Sequence, residues 1–319
     1  MSRRVVLPAL AVAGWLVIAT FPQWSRDWES SRYATGILRD ILIFAIFAGS
    51  LDLLVGRAGL PSLGHAAFFG GGAYAAAIVG ERLGTNELLV GLAAAIAVAG
   101  LLALIIGSLA VRAVGIFFLM LTLALAQMVY ALAYQATDLT GGSNGFAGVR
   151  RPALLGVDFA SAEALYLLVA VVFLLVTLLL WRITRSPYGR ALAGLRENER
   201  RMRALGYDTR TLKLTVFVLA GALAGIAGAL SAYAARFVSP NDVALGTSVT
   251  GLVMVLIGGA GTLLGPLLGA ATVLLIERVL SSSIGFSQSI LGIVFILFVV
   301  FARGGLAGLI RDAFGRTRS

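Results

Sequence analysis

Cysteine is absent from the 319 residues, lysine and histidine occur once each, and charged residues make up only 13% of the chain. Without cysteine there is no disulfide framework, no thiolate metal site and no cysteine nucleophile. The one histidine, His65, has neither a metal-binding companion nor a nucleophile at motif spacing. The one lysine, Lys213, sits in "TLKLT" with no glycine loop before it, so the G-x-x-x-x-G-K-[ST] nucleotide signature is missing. "TGGSNG" at 140–145 is glycine-rich but lacks the lysine. The sequence thus offers no catalytic, cofactor or metal site of its own.

What is present is apolar: 59% of the residues are hydrophobic, 39 are glycine, and the mean hydropathy is +0.96. No soluble domain could cover its surface with that composition. Runs such as "LYLLVAVVFLLVTLLLW" are long enough to cross a hydrocarbon core of about 30 Å as helices and lack the alternation of a barrel strand. The expected fold is therefore all-α and polytopic. Apolar runs bounded by charges or turn residues predict spans near 5–21, 36–55, 66–80, 88–110, 114–134, 163–181 and 213–235. "GGAGTLLGP" at 258–266 breaks the next apolar stretch into two short spans, 247–258 and 264–279, and a last one follows at 287–302. The first run is read as a retained span, with a cleaved leader as the alternative. The 247–258 piece is short enough for a half-helix.

The net charge of +10 is a topology signal, and its placement gives no reason to invoke nucleic acid. Ten spans with both termini cytoplasmic place 17 basic residues inside and 8 outside, whereas nine spans give 14 and 11. The ten-span arrangement is preferred. It leaves a polar segment outside at 135–162 and a basic one inside at 182–212, within a single membrane domain covering 1–319.

The inner segment, "SPYGRALAGLRENERRMRALGYD", reads as one amphipathic helix. Ser186 caps it, Pro187 occupies its first position and Gly206 stops it. Tyr188, Leu192, Leu195, Met202 and Leu205 form an apolar stripe, while Arg196, Glu197, Arg200, Arg201 and Arg203 fill the remaining faces. Such a helix can rest on anionic lipid. Glu197 and Glu199 among the arginines, and cap signals at both ends, favour a protein partner.

This segment, with "AGLPSLGHAAFFGGGAYAAA", "VGIFFLMLTLALAQMVYALA", "LTGGSNGFAGVRRP" and "LIGGAGTLLGPLLGA" in the same order, resembles the LivM-type permeases of branched-chain amino acid ABC transporters. The resemblance runs from about residue 40 to 310. It implies a bacterial inner-membrane subunit working with a second related permease, two ATPase subunits that carry ATP and Mg, and a periplasmic binding protein. It also implies that the 182–212 loop docks a coupling helix on the ATPase, with Tyr188, Gly189, Arg196, Glu197, Asn198, Glu199, Leu205 and Gly206 as the contact residues. The arginines and methionine of "ENERRMRALG" depart from the alanines more common in relatives. The solute is expected to be a branched-chain or related amino acid; urea, small amides and small carboxylic or aromatic acids are the alternatives within the class. A stand-alone channel or ion-coupled carrier is the rival from another class, and the near absence of charge at span centres counts against it.

Within the spans, Asp52 must face protein, water or a partner charge; a local pair with Arg57 or a cap is expected, and LivM-type relatives usually have asparagine there. Ser62 is a candidate N-cap for the helix that starts at His65, where a neutral imidazole hydrogen-bonded inside the bundle is expected. Gly70, Gly71 and Gly72 permit close helix packing. Ser62, His65, Thr122 and Gln127 are the candidate pathway residues, Thr122 and Gln127 being equally readable as interhelical hydrogen-bond partners. Outside, Asn144, Arg150 and Arg151 form either a solvated loop or a landing surface for the binding protein.

Overall fold

The computed structural model describes residues 31–154, 156–281 and 305–308. The expected spans at 5–21 and 287–302 lie outside the described residues. The eight spans expected between them each correspond to a helix. They are α1 (Ser31–Asp52, prolonged by a π-helical turn Leu53–Ala58), α2 (His65–Arg82), α3 (Leu88–Ala110), α4 (Ile116–Gln135) and α5 (Ala162–Arg185). The basic segment forms α6 (Pro187–Glu197) and α7 (Glu199–Ala204). Then come α8 (Thr209–Ala235), α9 (Leu245–Gly258) and α10 (Gly265–Ser281). Among the described residues, five helices are long and apolar enough to cross a membrane: Tyr33–Ala58, Leu88–Ala110, Ile116–Gln135, Ala162–Arg185 and Thr209–Ala235.

The helix ends follow local chemistry. Ser161 Oγ accepts from Ala164 N at the start of α5, and Arg182 and Arg185 in its last turn complement the helix dipole. Asp208 Oδ1 accepts from the amides of Arg210 and Thr211 to start α8. The break between α9 and α10 falls where the glycines accumulate, with Gly259 and Gly261 at φ of 107° and 82°.

Small residues decide how the helices pack. A Cβ added at Gly72 would overlap Gly225 of α8, and one at Gly228 would overlap the Phe69 carbonyl. At Gly225 it would stand 2.7 Å from the Ala95 carbonyl. Helices α2, α3 and α8 therefore meet backbone to backbone, the arrangement by which helices gain dispersion energy where lipid offers no hydrophobic drive. The packing reading of Gly70, Gly71 and Gly72 holds: Cβ atoms there would meet Val243, Leu102 and Gly225. Phe44, Phe47 and Phe69 on one side and Phe68, Phe217 and Phe118 on the other are joined through the His65 ring into a continuous aromatic seam through the core. By contrast, α3 and α4 leave most of their apolar side chains exposed or only half-buried, as helices facing lipid or a partner do.

The connections sort into two ends. Arg196 and Glu199 reach Gly56 and Lys213 at one end, where Gly261 meets Asp52. At the other, Arg278 Nη2 pairs with Asp40 at 2.7 Å, and two antiparallel ribbons form. β1 (Phe146–Ala147) pairs with β4 (Phe237–Val238), and β2 (Ala153–Leu154) with β3 (Val157–Asp158). Among the described residues, these two-residue ribbons depart from an all-helical chain and are confined to loops, where they pair backbone groups that no helix satisfies.

Candidate functional site

The basic segment is an elbow, not the single helix expected over 187–206. Ser186 Oγ accepts from Gly189 N at 3.2 Å and Pro187 opens α6, as the sequence indicates. At Asn198 the backbone turns extended (φ −160°, ψ 99°), and the Asn198 side chain accepts from Arg201 N at 2.9 Å. Asn198 thus ends one helix and caps the next. Helix α7 folds back so that Met202 lies on Gly194, where a Cβ would stand 2.7 Å from the sulfur. Leu192, Leu195 and Met202 are buried as the stripe requires, but Leu205 is 67% exposed and leaves it. Gly206, at φ 86°, closes the elbow.

The eight residues expected to meet an ATPase divide by orientation. Arg196, Glu197, Asn198, Leu205 and Gly206 are exposed. Gly189 is buried, because a Cβ there would run into the carbonyls of Ile183 and Thr184. Tyr188 is half-buried and donates to Thr215 Oγ1 at 2.9 Å, since that hydroxyl spends its own proton on Thr211 O. Burial raises the Tyr188 phenol, and the Thr215 bond offsets part of that. Arg196 donates Nη1 to the Gly56 carbonyl of its own chain. Glu199 accepts from Lys213 Nζ at 2.7 Å, Arg203 Nη2 at 3.1 Å and Thr209 Oγ1 at 3.2 Å. Partial burial alone would raise the Glu199 carboxyl, but Lys213, then Arg203 and Thr209, outweigh it and hold it below the ordinary value. Beside this network lies an open cleft of about 580 Å³ lined by Arg112, Glu199, Arg203, Tyr207, Asp208 and Arg210.

Among the four pathway candidates, Ser62, His65 and Thr122 are fully enclosed, and Gln127 is exposed on α4. Ser50 Oγ donates to Phe47 O, so it accepts from His65 Nε2 at 2.8 Å. That places the imidazole proton on Nε2, as the neutral reading requires, and leaves Nδ1 buried without a partner. Ser62 does not cap α2. Its Oγ accepts from Gly64 N, and the helix amide of Ala66 is instead satisfied at 2.8 Å by Ser248 Oγ from α9. Thr122 is not an interhelical partner either: its hydroxyl donates to Leu119 O one turn back in α4. A helical hydroxyl with no acceptor across the interface turns back to its own backbone.

Asp52 corrects the expectation of a local pair. Its Oδ1 accepts from Gly261 N at 2.7 Å, in the α9–α10 turn. No sequence spacing joins positions 52, 66, 248 and 261, so neither Ser248 nor this contact was readable along the chain.

At the opposite end Asn144 is exposed, Arg150 Nη1 donates to Gly84 O at 3.3 Å, and Arg151 Nη1 donates to Ala160 O. Both arginines tie the loop to its own chain. Among the described residues, no group of three or more His, Cys, Asp or Glu is placed to hold a metal ion.

Residues 33–302 match the family described as branched-chain amino acid transport system, permease component. The chain is 30% identical to the high-affinity branched-chain amino acid transport system permease protein LivM of Escherichia coli strain K12, over 88% of this chain and 71% of that protein. The Salmonella typhimurium LivM has the same identity and coverage. A probable LivM from Methanocaldococcus jannaschii is 25% identical over 75% of this chain and 78% of its own length. No solved structure matches.

Proposed function

Because this chain belongs to the branched-chain amino acid transport system permease family, we propose that it is one membrane-spanning half of an ATP-driven importer whose motor grips the α6–α7 elbow. The observation that carries this reading is the elbow's two-sided build. One side is nailed to the bundle through Leu192, Leu195 and Met202. The other presents Glu197, Arg200, Leu205 and Tyr207 to solvent, with Leu205 67% and Tyr207 48% exposed. Two exposed apolar side chains ringed by charge form the composition of a docking patch, the apolar pair as anchor and the charges as orienting rim.

The ATPase subunits, carrying ATP and Mg, then sit on the cytoplasmic face together with both termini. A second, related permease completes the conduit, and a periplasmic binding protein delivers the solute to the face bearing the 135–162 loop with Asn144, Arg150 and Arg151. The solute is a branched-chain or related amino acid, the transport named for the relatives. Gln127 is the one pathway candidate open on a helix surface. An amide there is costly against lipid and finds partners at a subunit interface or a wet conduit. Closure of the ATPases pushes the elbow, and a rigid elbow moves the ends of α5 and α8 that flank it.

The test is reconstitution with the candidate ATPases, permease partner and binding protein, followed by Leu205→Asp. The variant loses ATPase association and ATP-dependent leucine uptake while keeping the wild-type unfolding temperature. Association unaltered by Leu205→Asp, or wild-type uptake with no ATPase present, sinks the reading.

A further inference from the structure

We propose that Asp52 is a positioning residue that, through Gly56 and Arg196, ties the elbow to the broken-helix turn between α9 and α10. The inference rests on the importer reading for its purpose, though not for its geometry. The 52–59 stretch, Arg196 of the elbow and Gly261 of the α9–α10 turn, far apart in sequence, converge on one point. From α1, buried Asp52 extends Oδ1 to the amide of Gly261. From the π-helical turn that follows, Gly56 passes so close that a Cβ would overlap both Asp52 Oδ1 and Gly261 N. From the elbow, Arg196 donates to the Gly56 carbonyl and lays its stem over Gly59, where a Cβ would stand 3.0 Å from Arg196 Cγ.

Each part serves this junction. The carboxylate is an acceptor, and it satisfies an amide that the glycine-rich turn leaves outside any helix. Gly261 holds φ 82°, a conformation that presents its N–H to α1 and that other residues rarely adopt. A π-helical turn is a local arrangement found as single turns inside or at the ends of α-helices, so its register is a natural place for a shift. A displacement of α6 therefore pulls on the Gly56 carbonyl, within the π turn, and meets Asp52 and the α9–α10 hairpin directly. Among the described residues, no such link runs from the elbow to the opposite ends of these helices.

Two measurements on Asp52→Ala and Asp52→Asn decide the matter. In the purified chain alone, the peptide spanning 259–264 exchanges its amide hydrogens faster in Asp52→Ala and at the wild-type rate in Asp52→Asn, which keeps the acceptor oxygen. In the reconstituted importer, Asp52→Ala retains ATPase association and nucleotide hydrolysis but moves at least ~10-fold less leucine per ATP, the scale set by losing a hydrogen bond to a charged group. Asp52→Asn restores that ratio. Should Asp52→Ala fail to fold, Arg196→Gln tests the same link from the elbow side, with the same fall in leucine moved per ATP expected. Unchanged exchange in Asp52→Ala, wild-type stoichiometry in Asp52→Ala or in a folded Arg196→Gln, or an Asp52→Asn as defective as Asp52→Ala overturns the proposal. Uptake by the unmutated assembly without nucleotide hydrolysis would instead bring down the importer reading and leave the exchange result standing.

Discussion

Lys213 Nζ stands 2.7 Å from Glu199 Oε2, joining the start of α8 to the first residue of α7. The ammonium is 6% exposed and the carboxylate 22%, so each is the other's main compensation for lost water. Glu199→Gln leaves Lys213 buried without a counter-charge and costs roughly 3 kcal/mol. The effect carries a pH signature. The Glu199 carboxyl is held below its ordinary value of 4.5, so its stabilisation is fully present above that pH and fades as pH falls through the lower folded value. Unfolding temperatures in detergent show the gap between wild type and Glu199→Gln near neutral pH, and the gap closes in acid. A gap that persists unchanged in acid excludes this assignment.

Ser248→Ala removes the acceptor for the Ala66 amide in the first turn of α2. The loss of a cap costs about 1 kcal/mol. Here the cap comes from α9, so the variant also loosens the contact between the two helices. Thermal unfolding of the purified chain reads the first effect, and faster amide exchange across 65–68 reads the second.

His65 packs between Phe47 and Phe68, with ring centroids 5.4 Å and 5.6 Å away. His65→Ala opens a void in the aromatic seam and deletes the bond to Ser50, for roughly 2–4 kcal/mol. The expected outcome is a lower unfolding temperature with uptake per folded molecule preserved. A variant that is as stable as wild type but transports nothing would instead return His65 to the pathway.

Gly228→Ala and Gly36→Ala are expected to act in opposite directions. A methyl at Gly228 overlaps the Phe69 carbonyl and forces α2 and α8 apart, whereas one at Gly36 meets nothing within 4 Å among the described residues. The first abolishes the folded yield. The second raises stability by roughly 0.5–1 kcal/mol through helix propensity, read as a higher unfolding temperature.

The helices were legible because apolar length and punctuation by charge and glycine are properties of contiguous sequence. Residues 88–110, expected as a span, form α3 over Leu88–Ala110, and the glycines at 258–265 break the chain between α9 and α10. Ser186 and Pro187 open a helix for the same local reason. The elbow's bend was not legible, since its apolar stripe continues past Asn198 with helical spacing. What bends it is a side-chain cap together with a glycine at 194 small enough to admit Met202. The Ser248 cap and the Asp52 contact bridge 182 and 209 residues, distances over which no periodicity carries information. Residue type alone could mark Asp52 as needing a partner, but could not say which.

The chain's only lysine is the one locked against Glu199. Acylating reagents therefore meet a single side-chain amine in these 319 residues, and that amine reacts only when the elbow parts from α8. The rate of its modification would register, at one site and without an introduced probe, how often the handle lets go.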